Sequence, residues 1–186
     1  IGAESEFRGL VDLIEEKALI YPMEGPQEPQ ETKVPEHLLS EVQSFREALI
    51  ERVAENDEPL MEKFLGGEEI SREELKVALH RATGSNRVVP VLCGAALAGR
   101  GLQPLLDAIV DYLPAPNEVA PVEGMDMGMG EKVIRKPDEN VPFAALVFKV
   151  QTDPYVGRLV YFRVYSGTVK AGEMVYNVSR GVRERM

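Results

Sequence analysis

The sequence has one cysteine, Cys93, so an internal disulfide is excluded, which fits a reducing compartment. No apolar run approaches the roughly 20 residues needed to cross a bilayer, and the first residues lack the charged-then-apolar layout of a secretory signal. Ile1 is not an initiator methionine, so the chain reads as a piece or a processed product. Its two histidines, His37 and His80, are far apart, and no Cys/His/acid cluster has metal-ligand spacing; both are read as non-catalytic. Nowhere is there a Gly-x-x-x-x-Gly-Lys-[Ser/Thr] loop, an Asp-x-x-Gly or an Asn-Lys-x-Asp. Their absence removes a phosphate cradle, a Mg²⁺ site and a water-positioning residue. Asp126-Met127-Gly128 places its glycine at the wrong spacing to replace Asp-x-x-Gly.

What is present is acidic and unevenly so. The 186 residues, 44% of them apolar, suffice for one or two domains with a core, and the net charge is −10. Residues 141–186 hold seven Lys/Arg and three Asp/Glu, a net of +4, which leaves −14 on residues 1–140. Such asymmetry argues for two modules, the first repelling nucleic acid and attracting basic protein, the second able to lie against phosphate. Acidic surface also serves solubility alone.

The organising stretch is Val88–Pro116. Val88, Val89, Val91, Leu92 and Cys93 form a short β-branched apolar run, expected as a strand buried on both faces of a parallel sheet. The small residues Gly94-Ala95-Ala96 follow, then a glycine-containing loop. Leu102, Leu105, Leu106, Ile109, Val110 and Leu113 then recur at helical spacing until Pro114. Ligands bind open α/β sheets at the carboxyl ends of strands, where small side chains let backbone N–H groups approach them. An ordinary tight βα turn would look the same.

Before this stretch, Phe7–Tyr21 suits a helix or two short strands; strands are favoured because Pro22 and Gly25 can close a turn and Gln30–Val34 can return as a partner. Pro35–Glu55 is expected as a helix from its first turn, with Leu38, Val42, Phe45, Leu49 and Val53 on one stripe and Glu36, Glu47, Glu51 and Glu55 opposite. Asp57 caps a second helix whose apolar face is Leu60, Met61, Phe64 and Leu65 and which Gly66-Gly67 stops. Ser71 and Glu74 form a capping box for a third, with Leu75, Leu79 and Ala82 inward and Gly84 at its end. Residues 117–142, with Gly124–Gly130, read as a linker. Strands are expected at Ala144–Val150, Arg158–Ser166, Met174–Val178 and Val182–Met186. The fold class is α/β plus all-β.

Taken together, these residues resemble the elongation factor G family of translational GTPases. Gly94-Ala95-Ala96, Gly101-Leu102-Gln103 and Asp107 to Tyr112-Leu113-Pro114 resemble the last guanine-recognition loop and final helix of that family's G domain, with Ala95 where the family has serine. Phe7, Gly9, Leu10, Val11, Asp12 and Leu13 are similar to the opening of its inserted subdomain, and the stretch Leu60–Glu69 also resembles the family, in a structural part. Phe148-Lys149-Val150, Asp153–Gly157 and Phe162–Gly167 resemble the start of its second domain, a β-barrel. The resemblance implies an incomplete G-domain remainder with a helical/β inserted subdomain (1–87), a last strand, guanine loop and helix (88–116), a linker (117–142) and a truncated barrel (143–186).

For function, the resemblance implies a cytoplasmic GTPase that drives tRNA–mRNA translocation on the ribosome, using GTP and GDP. It assigns Gly94, Ala95, Ala96 and Leu97 to the guanine loop, and Glu47, Glu51 and Glu55 to docking on the ribosomal stalk protein. Arg158, Arg180, Arg183 and Arg185 become candidate contacts to small-subunit ribosomal RNA. No catalytic or metal-binding residue falls within this chain, so by itself it is expected to be inactive, without bound nucleotide and without a membrane partner. An unclosed barrel edge is a pairing hazard, from which poor order, an exchanged strand or contact with a second copy is expected. A ribosome-recycling or ribosome-protection factor of the same architecture, or a stand-alone acidic binding module, are the alternative readings.

Overall fold

A computed structural model describes residues 1–22, 28–126 and 128–186, in two compact units, Ile1–Pro114 and Ala115–Met186. In the first unit, β1 (Gly9–Asp12), β2 (Lys17–Ile20) and β3 (Gln30–Lys33) form an antiparallel sheet in that order, with Asp12 opposite Lys17 and Lys17 opposite Lys33. Phe7–Tyr21 is therefore the strand pair expected, and Gln30–Lys33 is its returning partner. Gly25, assigned to the intervening turn, lies outside the described residues. The β1–β2 turn is closed by Asp12, whose carboxylate accepts the N–H groups of Ile14 (2.8 Å) and Glu15 (2.9 Å). Glu16 completes it at a φ of 56°.

That turn carries Ile14 into a helical core. The helices are α1 (Leu39–Ala54), α2 (Glu58–Gly66), α3 (Arg72–Gly84) and α4 (Leu102–Tyr112). Ile14 packs with Val53 and Ala54 of α1, Leu60 of α2 and Leu75, Ala78 and Leu79 of α3. Asp57 caps α2 through the Leu60 N–H (3.2 Å), Gly67 ends it in the left-handed conformation, and the Ser71–Glu74 capping box is formed.

Charge pins the same turn from both sides. The Arg46 side chain, on α1, donates to the carbonyl oxygens of Leu13 and Ile14 (3.0 Å for the latter) and pairs with Glu16 at 3.4 Å. Glu15 meets Lys76 at 2.6 Å and Arg72 at 3.4 Å, both on α3. The Lys76 ammonium holds the Glu15 carboxyl below its usual range.

Several expectations are corrected. Helix α1 starts only at Leu39; a 3₁₀ turn over Glu36–Leu38 precedes it, closed by the Leu38 N–H on the Pro35 carbonyl (2.9 Å). Of the stripe only Val53 is buried, next to the buried Ala54, and Phe45 is 57% exposed, because α1 meets the core through its carboxyl-terminal end. Leu65 is likewise exposed.

The largest correction concerns Val88–Cys93. It is not a strand, and it pairs with none among the described residues. Val88 packs partly on the core, but Val89 and Val91 are 80% and 87% exposed, and Cys93 is exposed rather than buried. A parallel strand buried on both faces exists only between neighbours, and the sheet formed by β1, β2 and β3 does not extend to it. The apolar stripe of α4 is open for the same reason, with none of its residues buried.

The second unit consists of hairpins. The stretch expected as a linker contains one, β4 (Val122–Met125) paired with β5 (Lys132–Arg135). Its turn forms because the Asp126 carboxylate accepts the N–H groups of Gly128 (2.7 Å) and Met129 (3.1 Å); Met127 lies outside the described residues. Strands β6 (Ala144–Asp153) and β7 (Gly157–Ser166) form a long hairpin, turned by the Asp153 carboxylate on the N–H groups of Tyr155 and Val156. Strands β8 (Met174–Asn177) and β9 (Val182–Arg185) form another. The strands lie where expected, with β6 extending three residues further, but among the described residues each hairpin remains a separate two-stranded sheet.

The polar contacts around the helical core are open to test. Arg46→Ala should lower the unfolding free energy in a urea titration by about 2 kcal/mol, the scale of hydrogen bonds to a charged donor. The Glu74 carboxyl is pulled from its ordinary 4.5 down to about 2, first by the Lys63 ammonium and then by the Ser71 N–H and hydroxyl. Its contribution is thus complete above pH 4.5 and lost as pH falls towards 2. Between those values Glu74→Gln should show a smaller drop in unfolding midpoint than the parent chain.

Candidate functional site

The bend at Gly94–Gly101 is shaped by its own backbone. Ala95 donates its N–H to the Arg100 carbonyl (2.9 Å) and accepts the Arg100 N–H in return (3.2 Å). Between them Ala96–Ala98 makes one 3₁₀ turn, and Gly99 and Gly101 adopt φ of 68° and 81°. Gly101 is obligatory twice over, since a Cβ there would lie 2.7 Å from the Cys93 carbonyl oxygen and 2.9 Å from the Gly94 Cα. The Ala96 and Leu97 N–H groups open the turn and have no acceptor among the described residues. Gly94, Ala96 and Leu97 are exposed, and Ala95 is half-buried. The bend thus offers backbone donors without side-chain cover, which suits a carbonyl on a planar ligand. It holds no general base, nucleophile or metal-ligand set.

Arg100 was not among the residues that sequence reasoning singled out. Its guanidinium donates to the carbonyl oxygens of Phe7 and Pro22 (3.4 Å for the latter), just outside the two ends of the β1–β2 hairpin. A long cation beside two glycines is the signal that could have drawn attention to it. Arg46 was missed as well, because a single arginine on a helix does not show which carbonyls it will meet.

Glu47, Glu51 and Glu55 are brought together as expected. Glu47 and Glu51 lie on α1 and Glu55 caps its carboxyl-terminal end, at four-residue steps and all exposed. Gln43 donates to Glu47 (3.3 Å), and Arg52 pairs with Glu55 at 2.8 Å. The four arginines are not all gathered. Arg183 and Arg185 alternate with Glu184 on β9 and so share a face. Arg180 is in the preceding turn, paired with Glu184 at 3.6 Å. Arg158 stands on a different hairpin, in β7. His80 contacts the Asp111 carbonyl oxygen through Nδ1 (2.9 Å), joining α3 to α4.

Comparison with known proteins decides the family. Elongation factor G of Thermotoga petrophila is 55% identical over all 186 residues, and that of Thermotoga maritima is 54% identical over the same span. The chain belongs to the elongation factor G family. Residues 142–186 match the family model "Elongation factor G domain 2". The chain spans 27% of the length of those relatives. A crystal structure of a protein from Thermus thermophilus matches the whole chain over 25% of its own length, at 32% identity and a TM-score of 0.72. The mixed helices and strands are thus those of a family fragment, although Val88–Cys93 forms no strand here. Among the described residues no helix is long and apolar enough to cross a membrane.

Gly101→Ala should open the bend. Strain and the close backbone contacts predict a loss of about 1–3 kcal/mol locally, read as faster amide exchange at Ala95 with α3 unchanged.

Proposed function

We propose that this chain is the part of a translocation GTPase that links nucleotide state to ribosome docking. The supporting observation is the identity of 54–55% over every residue to proteins named elongation factor G. In this reading residues 1–87 form the inserted subdomain, and 88–116 carry the guanine loop and the final helix of the G domain. Residues 117–142 connect to the second domain, which begins at 143.

The Ala96 and Leu97 N–H groups meet the guanine base of GTP or GDP, with Gly94 and Ala95 shaping the loop. Ala95 supplies no hydroxyl, so recognition here is by backbone alone. Glu47, Glu51 and Glu55 dock on a basic surface of the ribosomal stalk protein. Arg158, Arg180, Arg183 and Arg185 contact phosphates of small-subunit ribosomal RNA. The reaction, GTP hydrolysis in the cytoplasm coupled to tRNA–mRNA movement, belongs to the longer protein. The 186 residues contain no phosphate-binding loop and hydrolyse nothing on their own.

Two measurements test this. Reversing the charge of Glu47, Glu51 and Glu55 to lysine should weaken binding to the stalk protein at least tenfold and flatten its salt dependence; unchanged affinity and unchanged salt dependence reject the docking face. Isothermal titration of the chain with GTP should show no stoichiometric binding at micromolar concentration, and a saturating isotherm would reject the assignment of the chain as lacking a phosphate site.

A further inference from the structure

We infer that Arg100 is the positioning residue of the base-reading bend and fixes its geometry to the β1–β2 hairpin; the inference rests on the reading of that bend given above. One residue closes both connections. Its backbone forms the reciprocal pair with Ala95 that shapes the bend. Its guanidinium grips the Phe7 and Pro22 carbonyl oxygens, on either side of the Tyr21 N–H that donates to the Arg8 carbonyl (2.8 Å). Beside it, a Cβ on Gly101 would stand 3.4 Å from the Leu10 side chain, so the bend rests against β1.

The chemistry of the bend makes such an anchor necessary. Ala95, Ala96, Leu97 and Ala98 have no polar side chain with which to hold the loop, and Leu97 is fully exposed. A planar guanidinium directs separate N–H groups at two carbonyls, whereas a lysine ammonium is a single point charge. The far end of the same hairpin is held by Arg46 on α1 and by Arg72 and Lys76 on α3. Glu47, next to Arg46, begins the acidic face. The hairpin is therefore a physical link between the docking helix and the bend, and Arg100 is its last connection.

Amide exchange measured by NMR on the whole chain tests this. Arg100→Ala should speed exchange at Ala95 at least tenfold while Leu75 and Leu79 of α3 keep their protection. Arg100→Lys should recover part of the loss, since one ammonium reaches one carbonyl. Parental exchange at Ala95 in Arg100→Ala, or identical exchange in the alanine and lysine variants, overturns the inference. Millimolar GDP provides a separate arm. It should shift the Ala96 and Leu97 amide resonances in the parent chain and not in Arg100→Ala; equal shifts in both also overturn the inference. No shift in the parent counts against the base-reading role of the bend, and the exchange rates then judge the anchor alone.

Discussion

The first unit depends on the seating of one hairpin tip. Ile14 is the only residue of the β1–β2 hairpin in the buried helical cluster, and it gets there because Asp12 folds the chain back over its own amides. A turn pushed into a helical core exposes its carbonyls to apolar surroundings, where unpaired oxygens are costly. Arg46 meets that cost directly by donating to Leu13 and Ile14. Its own charge is in turn compensated by Glu16. Sheet and helices therefore form one body through a polar interaction at the edge of an apolar core.

Helix α4 and the segment before it show the opposite case. Their residues are as apolar as any in the chain, yet they remain open, because burial requires a facing surface and not only a hydrophobic sequence. Helix α4 is joined to α3 by the His80 contact, and Tyr112 packs against the core with its hydroxyl pKa pushed up to about 12 by burial. The rest of its stripe is only partly covered, with Leu106 and Val110 the most exposed of it. The chain spans 27% of the length of the relatives it matches.

The candidate site residues divide along the same line. The acidic face of α1 needs nothing but helical periodicity. The bend needs Gly101 at positive φ, the Ala95–Arg100 pair and a cation that reaches back about 80 to 90 residues along the chain. Arg183 and Arg185 share a face by strand alternation, while Arg158, on another hairpin, shares nothing with them by sequence pattern alone.

Short-range chemistry could be read directly from the order of residues. The Asp57 cap, the Ser71–Glu74 box, the stop at Gly67, the end of α4 before Pro114 and most strand positions each depend on a few neighbouring residues, and the family was legible in motifs of the same kind. Where apolar runs are covered is not legible, so sequence alone suggests a strand at Val88–Cys93 and a linker at residues 117–142. The first lacks the neighbours that make a strand; the second forms β4 and β5 through backbone bonds that a proline- and glycine-rich composition conceals. Folding in three dimensions was needed to place Arg46 and Arg100, because a long cation chooses its carbonyls by the distance that packing leaves between them.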